Sequence, residues 1–71
     1  LNIRYYQGRE ASLSERIAGL EKAGEPVFVT SRTLAIGDWR AFFGSFGLTE
    51  TARGPHGTVL FRVIPRSGKY P

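Results

Sequence analysis

Residues 26–31, PVFVTS, decide how this chain can fold. The run is apolar, does not alternate with polar residues, and contains β-branched side chains. A strand of that kind is usually covered on both faces, as in the middle of a parallel sheet. Its neighbours must then come from the segments on either side.

Upstream lies SLSERIAGLEKAG (residues 12–24), in which Ser12 is followed three positions later by Glu15. That spacing is a capping box: the serine oxygen accepts from a free backbone N–H, and the glutamate reaches back to the cap. Leu13, Ile17 and Leu20 fall at i, i+4 and i+7, one apolar stripe of a helix, while Glu15, Arg16, Glu21 and Lys22 can face water. Gly24 suits the left-handed residue after a helix end, and Pro26 prevents continuation. Further upstream, LNIRYYQ (residues 1–7) alternates, with Leu1, Ile3 and Tyr5 on one side and Asn2, Arg4 and Tyr6 on the other, the period of a strand. Strand, helix and strand with short joints make a βαβ unit, whose crossover is nearly always right-handed.

Downstream, SRTLAIGD (residues 31–38) is a connection, and Asp38 is placed to cap a second helix in DWRAFFGSFG. Trp39, Phe42, Phe43 and Phe46 repeat at i, i+3, i+4 and i+7 there. Gly44 inside that helix costs about 1 kcal/mol relative to alanine, so the helix should be short or bent, with Gly47 ending it. LTETAR (residues 48–53) reads as a strand with one wet face and TVLFRVI (residues 58–64) as its partner, joined by GPHG. If GPHG is the whole turn, Arg53 faces Thr58, Ala52 faces Val59, Glu50 faces Phe61 and Leu48 faces Val63. This register collects Leu48, Ala52, Val59, Phe61 and Val63 on the helix side.

The expected architecture is therefore a single α/β domain over residues 1–65, ordered β-α-β-α-β-β. It is a two-layer sandwich: two helices cover one face of a four-stranded mixed sheet that ends in a β-hairpin. Tyr6, Leu60 and Ile64 should lie on the second, partly open face, where an apolar patch would mark a partner surface. Residues 66–71, with glycine, proline and positive charge, read as a tail or linker.

Composition narrows the function. A chain of 71 residues buries only about 60% of the surface exposed when unfolded, so most large apolar residues must join one small core. With no cysteine there are no disulfides, thiolate nucleophiles or cysteine-ligated zinc. No apolar run approaches the roughly 20 residues of a membrane span, and the leucine start suggests a piece of something longer. The net charge of +4 attracts phosphates and anionic headgroups, but the basic residues are scattered and form no cluster.

His56, the single histidine, has no partner at metal-ligand spacing, and its glycine and proline neighbours make it a turn residue. The helical spacing of Trp39, Phe42, Phe43 and Phe46 makes them core residues, whereas base-stacking platforms sit on an open sheet face. Thr30, Ser31, Arg32 and Thr33 follow a buried strand at its carboxyl end, where parallel α/β folds gather ligands, and can offer hydroxyls and a guanidinium to a phosphate or carboxylate. The plain alternative is a polar loop. Neither a glycine-rich phosphate cradle nor a dinucleotide fingerprint is present, and no cofactor is expected. The serines have no histidine placed beside them and there is no nucleophile elbow, so no residue is assigned as catalytic.

The order YYQGREASLSERIAGLEKAGEPVFVTS, then DWRAFFGSFGLTETARGPHGTVLFRVIP, resembles the soluble carboxyl-terminal region of polytopic membrane glycosyltransferases of the mannosyltransferase-like group, which use lipid-linked sugars. The resemblance covers residues 5–65. It implies an extracytoplasmic location near the membrane surface and a catalytic acidic residue elsewhere in a longer protein. The expected role is then a non-catalytic accessory domain that positions acceptor or lipid carrier or mediates protein contacts. Its partners would be the remainder of a larger membrane protein or an anionic membrane surface. Two alternatives belong to other classes: a small basic nucleic-acid-binding module using Arg4, Tyr6 and Arg62 on the sheet face, and a small-ligand sensor at the Arg32 loop.

Overall fold

The structure of the protein, a computed structural model, describes residues 3–65. Leu1 and Asn2 of the expected first strand, and the expected tail at 66–71, lie outside them. Helix α1 (Glu10–Lys22) leads to strand β1 (Val27–Thr30), then to a helical turn α2 (Ser31–Leu34) and helix α3 (Gly37–Phe43). Strands β2 (Gly47–Arg53) and β3 (Val59–Ile64) follow, joined by a 3-10 turn at Pro55–Gly57.

The sheet corrects the expected architecture. It has three strands in the order β1-β3-β2, antiparallel at both pairings, and is not a four-stranded mixed sheet. The missing strand is LNIRYYQ, whose described part forms a 3-10 turn at Ile3–Tyr6. A period of three places Ile3 and Tyr6 together, and both pack against the core, while Tyr5 is left 59% exposed. Arg9 stabilises the turn, its guanidinium lying 4.9 Å from the Tyr5 ring centre and donating to the Tyr5 hydroxyl. Without a first strand there is no βαβ crossover before β1. Strands β1 and β2 instead run parallel to each other on either side of β3, connected through α2 and α3.

Helix α1 begins at Glu10, so Ser12 and Glu15 lie inside it and form no capping box. The Gly8 N–H donates to the Glu10 carboxylate, and Gly8 at φ +78° turns the chain into a helix that starts a half-turn before Ser12. The far end follows the pattern: Gly24 has φ +81°, with Glu25 N–H bonding the Leu20 carbonyl and Gly24 N–H that of Glu21. These two bonds are a Schellman motif, which satisfies carbonyls the last turn would leave orphaned. Helix α3 starts after Ile36, with Asp38 in its first turn making no cap bond, and ends at Phe43. Gly44 is therefore its cap and not an interior residue.

The core is Leu13 and Ile17 of α1, Val27 and Val29 of β1, Trp39 and Phe43 of α3, Phe46, and Val63 of β3. Phe42 binds the aromatic group together, in edge contact with Trp39 at 5.8 Å and Phe43 at 4.9 Å. Leu48 faces Val63 and Glu50 faces Phe61, as the simple hairpin register requires. Beyond Glu50 the register slips, so that Ala52 faces Leu60 and Arg53 faces Val59. Thr51 is the extra residue of this β-bulge, and its hydroxyl donates to the Leu60 carbonyl at 3.1 Å. The slip carries Ala52 away from the helix side and leaves it exposed.

Phe43 and Ile17 are almost wholly enclosed, so cavity creation is the term to test. Ile17→Val should lower stability by about 0.5–1.5 kcal/mol and leave the domain folded, whereas Phe43→Ala should cost about 3–5 kcal/mol. Urea denaturation followed by Trp39 fluorescence measures both.

Candidate functional site

Strand β1 carries the main revision of the expected sites. Its residues alternate between buried Val27 and Val29 and exposed Phe28, so it is an edge strand with one open face and not a strand covered on both sides. Pro26 immediately before it is the signal that points this way, because proline tolerates strand starts and edges and not sheet centres.

The loop after β1 is built by its own hydroxyls. Thr30 caps α2 by accepting from the Thr33 N–H at 3.4 Å, and the Ser31 hydroxyl oxygen accepts from the Val59 N–H at 3.0 Å. The second bond, spanning 28 residues, joins the loop to the start of β3. Thr30 and Thr33 border a small cavity of about 200 Å³ with Ile3, Phe28 and Phe43, while Ser31 and Arg32 do not line it. The four residues thus do not converge on one point. The antiparallel arrangement also removes the parallel-strand end on which that ligand site was reasoned.

Arg4, Tyr6 and Arg62 are likewise not gathered on a sheet face. Arg4 and Tyr6 belong to the first 3-10 turn, and Tyr6 packs against the core. Arg62 lies on β3, opposite Phe28 of β1 and Thr49 of β2, and its guanidinium bonds both carboxylate oxygens of Glu21 at 3.2–3.3 Å. That ion pair ties the last turn of α1 to the central strand. The Arg62 Nε is buried with no hydrogen-bond partner among the described residues.

The open positions of the sheet hold an apolar pair. Phe28 and Ile64 are 46% and 40% exposed. Since Phe28 faces Arg62, Ile64 is its diagonal neighbour on the same face, about 7–8 Å away across the strands. Gly47, opposite Ile64, has no side chain to cover it. Of the other residues expected on this face, Leu60 is half-buried and Tyr6 is absent from the sheet.

A larger groove of about 560 Å³ runs beside β1, lined by Tyr5, Tyr6, Arg16, Leu20, Glu25, Pro26, Val27 and Phe28. Of its lining only Tyr6 is among the expected site residues, because a strand at 1–7 would place the others away from it. Among the described residues no cluster of three His, Asp or Glu side chains could hold a metal ion. His56 sits in the hairpin turn with φ 61°, followed by Gly57 at φ +77°. The Gly54 N–H donates to the Thr58 carbonyl at 2.7 Å and the Thr58 N–H to that of Pro55, closing the turn.

Comparison with protein-family models, curated proteins and solved structures finds no match to this chain.

Two measurements separate scaffold from site. Ser31→Ala should cost about 1–3 kcal/mol by stranding the Val59 N–H, while Arg32→Ala at an exposed position should change stability by less than about 0.5 kcal/mol. In the turn, His56→Asn should be neutral because asparagine tolerates the left-handed region, whereas Gly57→Val should cost about 1–3 kcal/mol in backbone strain alone, nothing lying within 4 Å of its Cβ. Equilibrium denaturation reads all four variants.

Proposed function

We propose that this chain is a non-catalytic accessory domain, the soluble carboxyl-terminal part of a membrane glycosyltransferase-like protein. It packs against the rest of that protein or the anionic membrane surface on the extracytoplasmic side and helps to position acceptor or lipid carrier. The observation that carries this reading is the exposed apolar pair Phe28 and Ile64 on the open sheet face, a surface suited to burial against a partner.

Three further points support it. The order of segments across residues 5–65 resembles the end of such transferases. The net charge of +4 favours anionic headgroups, each basic residue near the surface adding about 1 kcal/mol. No helix among the described residues is long and apolar enough to cross a membrane, so any attachment of this domain to a bilayer runs through its surface or through another part of a longer protein.

Co-sedimentation with phosphatidylcholine vesicles, with and without phosphatidylglycerol, tests the membrane contact. The domain should pellet with the anionic vesicles at low salt, return to the supernatant at high salt, and bind less tightly when Phe28 and Ile64 are both changed to serine. Retention in the supernatant at low salt removes the membrane contact from the proposal.

A further inference from the structure

Among the described residues the outer edge of β1 is open. All four of its residues pair with β3 on one side, and among the described residues no backbone hydrogen bond is made on the other. In an antiparallel pair alternate residues direct their N–H and C=O groups outward, so this edge offers unfilled donors and acceptors. Exposed edges are usually blunted by bulges or charges. Strand β2, the opposite edge, has both: the bulge at Thr51 and the Glu50–Arg53 ion pair. Strand β1 has neither within Val27–Thr30.

Two concavities border that strand. The larger groove and the smaller cavity share Val27 and Phe28 and together run along the whole strand. Their far wall comes from the 3-10 turn and α1, through Ile3, Tyr5, Tyr6 and Leu20. The charge of the groove also has a sign. Arg16 lines it and Arg9 lies over Tyr5 at its mouth, against the single carboxylate of Glu25. Among the described residues Arg16 has no ion-pair partner.

We propose that an extended acidic peptide segment of a second protein adds to the sheet as a fourth strand along β1. Its backbone completes the open edge, an apolar side chain enters the groove between Tyr6, Leu20 and Phe28, and a carboxylate meets Arg16. This is β-strand addition, in which main-chain bonds give affinity and pockets for alternate side chains give specificity. The inference stands on the edge and the groove, independently of any membrane contact.

The test uses the domain and a fluorescein-labelled, capped heptapeptide of alternating glutamate and valine, read by fluorescence anisotropy. Saturable binding is expected, with slowed amide hydrogen exchange confined to β1 and its neighbours. Arg16→Glu, at an exposed position, should weaken binding about tenfold without altering the unfolding midpoint. The same peptide with alternate backbone nitrogens methylated should not bind, since it cannot donate to the edge. Equal binding of the methylated peptide, absence of binding at millimolar concentration, or protection elsewhere than β1 and its neighbours overturns the proposal. So does a dimer of the domain whose β1 amides are already protected without peptide, because a second copy would then occupy the edge.

Discussion

The structure depends on β3 being paired on both sides. Val63, with no exposed surface, stands opposite Val27 on one flank and Leu48 on the other. Its side chain is where both antiparallel pairings meet the aromatic group of α3 and the Leu13 and Ile17 stripe of α1. Among the described residues the buried core is this one cluster, to which α1, β1, α3 and β3 contribute directly and β2 adds Leu48 at its margin. The hairpin β2–β3 supplies the local half of that arrangement. The pairing of β3 with β1, from Thr30 opposite Leu60 to Val27 opposite Val63, is far longer in range and supplies the rest.

Placing β3 at the centre leaves β1 and β2 as edges, and the two are treated differently. β2 carries the Thr51 bulge, polar residues and an exposed ion pair, which suit a strand that meets water. β1 is mostly apolar and bordered by a groove. Two of the polar side chains in the following loop, Thr30 and Ser31, are engaged in building it. Thr30 closes the first turn of α2, and Ser31 anchors the loop to Val59. Arg62 joins the central strand to Glu21 of α1. Among the described residues the β1 edge and the exposed Phe28–Ile64 pair stay open.

Much of the local structure was legible. The stripe of Leu13, Ile17 and Leu20, the left-handed Gly24, and the core placement of Trp39, Phe43 and Phe46 all follow from contacts three or four residues apart. The hairpin was legible up to Glu50, where its register follows from the turn. It failed beyond that point because a bulge inserts one residue without any distinctive composition, here a threonine among threonines. The capping box failed because Gly8 let α1 begin earlier, so that the serine and glutamate of the pattern became ordinary surface positions.

The sequence by itself determined the two main helical segments, where the hairpin lies, and that Trp39, Phe43 and Phe46 are core. Such features depend on periodicity and on backbone restrictions that act over a few residues. The tertiary structure alone decided that residues 3–6 form a turn and that β1 is an edge. Alternating Ile3 and Tyr5 suit a strand, and Ile3 and Tyr6 at a spacing of three suit a 3-10 turn equally well. The choice rests on which conformation buries more apolar surface against Val27, Val29 and Phe43, and that is a non-local balance no run of seven residues contains.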